Sequence, residues 1–299
     1  MRISKREIAE IVREAGAMGI HGKRLDVSKT IDNLRDKLRL DIESHMQPYM
    51  VLLTEAVQSL IHLEQHLFSR PLNQDSSPFA LQISRVRSEA VALQQVIAIG
   101  QEAAAGVLGR SLFEAIEVAM AVSIDDDFSR RFLCDEDQDK FWKSHIGYGH
   151  IYKKVSAFLV ATGDSPEEVT AYIDFHKQIK NLLSGHVHSA NRLAFRSACV
   201  PALANPGNFT IGQLGALSIH APHLCLIVAE EISLFTRKCL VLTIIPEPPV
   251  PFAHNKPRRS FDAFLISVYV LQSLMTKYGP ELHERYIKLI ESAGFYSAD

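Results

Sequence analysis

Apolar positions recur at helical spacing along most of this chain, and almost nowhere do they alternate as in a strand. Residues 3–15 form a short amphipathic opening that stops at Gly16, Gly19 and Gly22, because glycine loses the most backbone entropy on ordering. Ile31, Leu34, Leu38 and Ile42 then mark one face, and after Pro48 the pattern resumes through Leu52, Leu53, Val57, Leu60, Ile61 and Leu67. One kinked helix, or two in line, is predicted. Residues 70–78, with Pro71, Asn73, Asp75, Ser76 and Ser77, read as a loop. A long helix follows from Leu81 to about Ser123, with Gly100, Gly106 and Gly109 as candidate bends, and Asp125, Asp126 and Asp127 make an acidic turn.

Residues 141–161 are predicted to be the next helix, closed by Gly163. Ser165-Pro166-Glu167-Glu168 then opens another: serine caps, proline fits the first turn and the acids suit the helix dipole. That helix runs to Gly185, and helix returns over residues 211–240. Only residues 241–245 read as a strand. A proline-rich linker, 246–257, precedes a final helical pair over 261–277 and 280–292. The expected fold is therefore all-α, a bundle of long helices with at most one short strand. Its organisation is an N-terminal amphipathic arm (1–25), a helical bundle (26–245), and the linker with its C-terminal pair (246–299).

Composition narrows the function classes. The chain has 299 residues, 47% hydrophobic and 22% charged, enough for a substantial core. Its 32 basic and 34 acidic residues leave a formal charge of −2, so nucleic acid or an anionic membrane would have to be met by a local patch. Cys134, Cys199, Cys225 and Cys239 are scattered, which suits a reducing, cytoplasmic setting. Met1 and Arg2 lead directly into charged sequence rather than a signal peptide's apolar region. Residues 197–229 carry no Asp, Glu, Lys or Arg, but Pro201, Pro206, Pro222, His220 and His223 interrupt them, so a buried segment is expected and not a membrane span.

Glycine-rich phosphate loops, nucleophile elbows, and the zinc and di-iron helix motifs are absent from the sequence, and no cofactor or metal is expected. His62 and His66 stand one turn apart, with no carboxylate or cysteine to complete a metal site; a packed or solvated pair is the expectation. Arg110, Glu114 and Glu117 share one face of an apolar helix, either as an internal ion pair orienting two helices or as part of a site. Lys180 and Asn181 precede Gly185, His186 and His188. An imidazole there can take the proton of a ribose 2′-hydroxyl or protonate a leaving 5′-oxygen, while a cation stabilises the phosphorane. The alternative is a helix C-terminus at which His186 and His188 meet the last carbonyls. On an unbroken helix Lys180 and His186 point about 120° apart, so they converge only through a bend at Gly185 or across two subunits.

Arg110-Ser111-Leu112-Phe113-Glu114 on one helix, followed some seventy residues later by Leu183-Ser184-Gly185-His186-Val187-His188, resembles a bacterial helical family of unknown function that is itself similar to the HEPN superfamily. The resemblance covers roughly residues 90–196. It implies a helical bundle, commonly dimeric, with metal-independent endoribonuclease activity of the kind found in toxin and antiphage systems. It further implies His186 as general base or acid, His188 as its helper, Lys180 as the phosphate cation with Asn181 in the RNA-binding motif, and Arg110 with Glu114 positioning the site. The departure is Lys180 where that family carries arginine, a point charge in place of a two-pronged phosphate contact. The leading expectation is thus an RNA-cleaving homodimer; the other is a catalytically inert helical module whose uncharged stretch buries against a partner protein or a second copy.

Overall fold

The computed structural model describes residues 5–19, 27–69, 71–72, 77–134, 137–187, 199–211, 217–244 and 258–293. The all-α expectation holds, with several boundaries moved. Helix α1 (Lys5–Ala17) is the amphipathic opening, its described side chains largely exposed. Helix α2 (Val27–Asp41) passes through a π-helical turn, Ile42–Met46, into α3 (Gln47–Leu67). The predicted kink is therefore one wide turn, with Pro48 in the first turn of α3, where its missing N–H goes unneeded.

The long helix expected to reach Ser123 is two helices, α4 (Ser77–Ala98) and α5 (Glu102–Ile124). Of the three candidate bends only Gly100 breaks the chain, at φ 66. Gly106 and Gly109 lie buried inside α5. The acidic turn is the start of an unforeseen helix, α6 (Asp126–Cys134), whose Phe128 N–H donates to Asp125 Oδ1 at 2.8 Å. The helix expected over 141–161 also divides, into α7 (Gln138–His145) and α8 (Tyr152–Ala161), around a tight turn at Gly147–Gly149. The predicted cap is borne out: α9 (Pro166–Val187) opens with Glu168 N–H donating to Ser165 Oγ at 3.3 Å and Ser165 N–H donating to Glu168 Oε2 at 2.8 Å.

Strand is misplaced in the sequence reading. Residues 241–244 close α10 (Ala221–Ile244), because Leu242 and Cys239 continue its buried face; among the described residues strand occurs instead as an antiparallel hairpin of two, β1 (Cys199–Ala202) and β2 (Asn205–Ile211). The final pair is one helix, α11 (Arg258–Ser292), continuous through Pro280. Next to that proline, Tyr49 of α3 donates its O–H to the Leu282 carbonyl at 3.0 Å. The linker 246–257 lies outside the described residues.

Helix α3 packs on α4, α10 and α11, while α5 packs on α4, α8, α9 and α10. Together they enclose a core containing Phe79, Phe113, Phe158, Phe235 and Phe264; burying a side chain of that kind contributes roughly 1.5–3 kcal/mol. Leu217 and Leu224 to Ala229, from the uncharged stretch, are buried in this same core, so that part is covered by the chain itself. No helix among the described residues is long and apolar enough to cross a membrane.

Candidate functional site

Tyr172, His176, Lys180 and Ser184 follow one another at four-residue steps on α9, so all four lie along one face of the helix. That face meets α5, which presents Arg110, Glu114 and Glu117 at matching helical spacing. Helix α10 supplies Glu231 from the other side.

The result is an unbroken polar chain through the core. Tyr172 O–H donates to Glu231 Oε1 at 2.7 Å. His176 Nε2 lies 2.8 Å from Glu231 Oε2 and its Nδ1 lies 3.0 Å from Glu117 Oε1. Lys180 Nζ donates to Glu117 Oε2 at 2.8 Å. The His176 side chain is 0% exposed, with the Phe113 ring edge-on at 5.1 Å and Tyr172 beside it at 4.0 Å. Burial alone would depress this imidazole, but the Glu231 and Glu117 carboxylates more than offset that and raise it to about 9. A carboxylate faces each ring nitrogen, the arrangement that an imidazolium donating from both nitrogens satisfies. Burial pushes Glu117 up, and His176 with Lys180 outweigh it, so that carboxyl is held below its usual range. Burial likewise opposes the Lys180 ammonium, and Glu117 overcomes it to raise that group. Two cations face two carboxylates, so the buried network balances its charge.

Lys180 is where this network reaches the surface. A cleft of about 1060 Å³ opens above it, lined by Arg110, Lys153, Lys177 and Lys180 against Glu114 and Glu117, four cations to two carboxylates. Tyr152 forms part of the floor, with the Lys180 ammonium 4.7 Å from its ring centre. Trp142 and Tyr148 belong to the same lining.

Of the residues expected from sequence, Arg110, Glu114, Lys180 and Asn181 all line this one cleft. Arg110 joins α5 to α9: its Nη1 donates to the Lys180 carbonyl at 2.7 Å and to Ser184 Oγ, and its Nη2 donates to Glu114 Oε1 at 2.9 Å. The internal bridge and the site residue are thus the same arginine. The backbone of α9 runs as helix through Gly185 to Val187, so the bend that would bring Lys180 and His186 together in one chain is not there. The His186 side chain and all of His188 lie outside the described residues. The other histidine pair is accounted for by neighbours: His62 lies against Gln58 at 2.6 Å and Gln65 at 3.2 Å, and buried His66 lies 3.1 Å from Ser260 Oγ.

Sequence reasoning missed His176, Tyr172 and Glu231, and it missed the aromatic lip. A signal existed for the first two in the four-residue row Tyr172, His176, Lys180, Ser184 along one face of the helix. Gly147-Tyr148-Gly149 was equally visible as two glycines within three residues. Comparison with known proteins finds no matching family model, no similar curated protein and no similar solved structure.

Proposed function

We propose that this chain is a HEPN-like, metal-independent endoribonuclease of the toxin or antiphage type, which binds RNA in the α5–α9 cleft. The observation that carries the reading is the convergence of Arg110, Glu114, Lys180 and Asn181, some seventy residues apart in sequence, on one cleft with an excess of positive charge. In this reading His186 takes the proton of a ribose 2′-hydroxyl, whose oxygen attacks the adjacent phosphorus. Lys180 stabilises the phosphorane, and His188 protonates the departing 5′-oxygen, leaving a 2′,3′-cyclic phosphate and a 5′-hydroxyl. Because α9 is unbroken at Gly185, the histidines act on the Lys180 of a second copy, which makes the enzyme a homodimer. His176 is no part of the proton transfer: it is fully buried and held between two carboxylates.

The test is cleavage of RNA in chelator. The wild type is expected to leave 2′,3′-cyclic ends, His186→Ala to lose about a hundredfold to ten-thousandfold in rate, and Lys180→Arg to keep the activity that Lys180→Ala loses. Intact RNA with and without metal, from a folded protein, favours the inert interaction module. One observation supports that second reading: the Lys180 ammonium is already committed to Glu117 within a fully paired network.

A further inference from the structure

The turn between α7 and α8 holds its middle residue in a conformation that side chains rarely adopt. Tyr148 sits at φ 56, ψ 20, between Gly147 and Gly149, the latter at φ 85. A bulky residue at positive φ is strained, and such strain persists only where the surroundings impose it. Nothing about burial rewards the arrangement, since Tyr148 is 82% exposed. What the turn does is place a phenol ring on the lip of the cleft.

Trp142 fixes that ring from one side. The two aromatic rings meet edge to face, 5.9 Å apart at 66°. This leaves a phenol face open to solvent rather than stacked away. Gly147 is required for the contact, because a Cβ there would lie 2.6 Å from the indole ring. Below the lip, Lys153 has no carboxylate partner among the described residues, and Lys177 has an exposed pairing with Asp174 at 3.2 Å and sits 5.7 Å from the Tyr152 ring centre. Exposed aromatic faces over a cationic floor suit a planar, electron-rich ring joined to an anion. They do not suit a cationic ligand, which the lysines repel, or a duplex, whose bases are already stacked.

We propose that the mouth of the cleft is a nucleobase subsite, in which an unpaired nucleotide stacks its base on Tyr148 beside Trp142 and lays its phosphate toward Lys153 and Lys177. The assignment deepens the ribonuclease reading and rests on it for the choice of RNA over a free nucleotide. It makes the substrate single-stranded, with one base drawn out of its stack onto the lip. At about 1060 Å³ the cleft stands at the upper end of small-ligand sites, which run to roughly 1,000 Å³, so a flanking nucleotide fits as well.

Trp142 is the only tryptophan of the chain, so fluorescence excited at the red edge of the indole band, where tyrosine does not absorb, reports this lip alone. The full-length protein is titrated with a 2′-O-methyl oligoadenylate, which lacks the hydroxyl needed for cleavage, with the same strand in duplex, with AMP and with ribose 5-phosphate. Saturable quenching by the single strand, and by AMP at higher concentration, is expected, with little from the duplex or from ribose 5-phosphate. Quenching by AMP with none by the strand overturns the RNA assignment and leaves a free-nucleotide site. Tyr148→Ala, an exposed change that circular dichroism should find folded, is expected to weaken binding of the strand about tenfold, the loss of one stacking platform. Lys153→Ala is expected to weaken it less and to flatten its salt dependence. If the strand binds without changing Trp142 fluorescence and equally well to Tyr148→Ala, the subsite is wrong while the ribonuclease reading stands. If quenching occurs as expected but RNA is never cut, the subsite stands and the ribonuclease reading falls.

Discussion

His176 shows what one residue can do when two helices close on it. Its raised value, about 9 against an ordinary 6.5, means that the folded state holds its proton more tightly than the unfolded chain. The stabilisation is complete below pH 6.5 and is lost as pH rises through 9; for a group so buried, a shift of this size is worth on the order of 3 kcal/mol. Wild type and His176→Gln should therefore differ most in unfolding free energy below the lower value and converge above the higher one. A constant difference across that window would mean the imidazole is neutral in the fold. The same residue explains a gap in the sequence reading. Its partners Glu117 and Glu231 stand 59 and 55 positions away, and no local pattern announces a pairing at that range. Lys180, by contrast, was readable as a candidate cation, but its pairing with Glu117 was not.

At the scale of the element, the seam between α5 and α9 is held by Arg110, which reaches the Lys180 carbonyl and Ser184 from the opposite helix. Arg110→Ala removes that link and leaves Glu114 without its partner. It should cost about 1–3 kcal/mol, the range for breaking a charge-assisted hydrogen-bond set, and it should slow RNA cleavage by letting Lys180 drift. Chemical denaturation beside an activity assay checks both, and full stability with full activity would show that Arg110 holds nothing. Helix starts were readable wherever a local device marks them, as Ser165 and Glu168 do for α9. The break at Gly147–Gly149 was not, because apolar periodicity on either side of a tight turn averages into the appearance of one helix. Pro280 misled in the other direction, suggesting a boundary inside what is a continuous α11.

At the scale of the whole molecule, the proposed sharing of the site across two copies has a consequence that neither variant shows alone. Lys180→Ala and His186→Ala, each inactive, should recover activity when mixed and allowed to exchange. Half of the re-formed dimers are mixed and each of these holds one intact site, so recovery should approach about a quarter of the wild-type level in a two-fold assembly. Light scattering should give a dimer mass for the wild type; a monomer that still cuts RNA would place the whole site in one chain. The all-α class, the cap of α9 and the apolar faces that build the core were determined by sequence alone, because they rest on interactions three to four residues apart. Arg110, Glu114, Lys180 and Asn181 were also readable as candidates, since each sits on a recognisable helix face. Only the tertiary structure decided that these four share a cleft, that Glu117, His176 and Glu231 complete a buried charge network beneath it, and that Tyr148 stands on its lip. Those relations depend on how α5, α9 and α10 pack and on one strained turn, and packing brings together groups that the chain keeps dozens of residues apart.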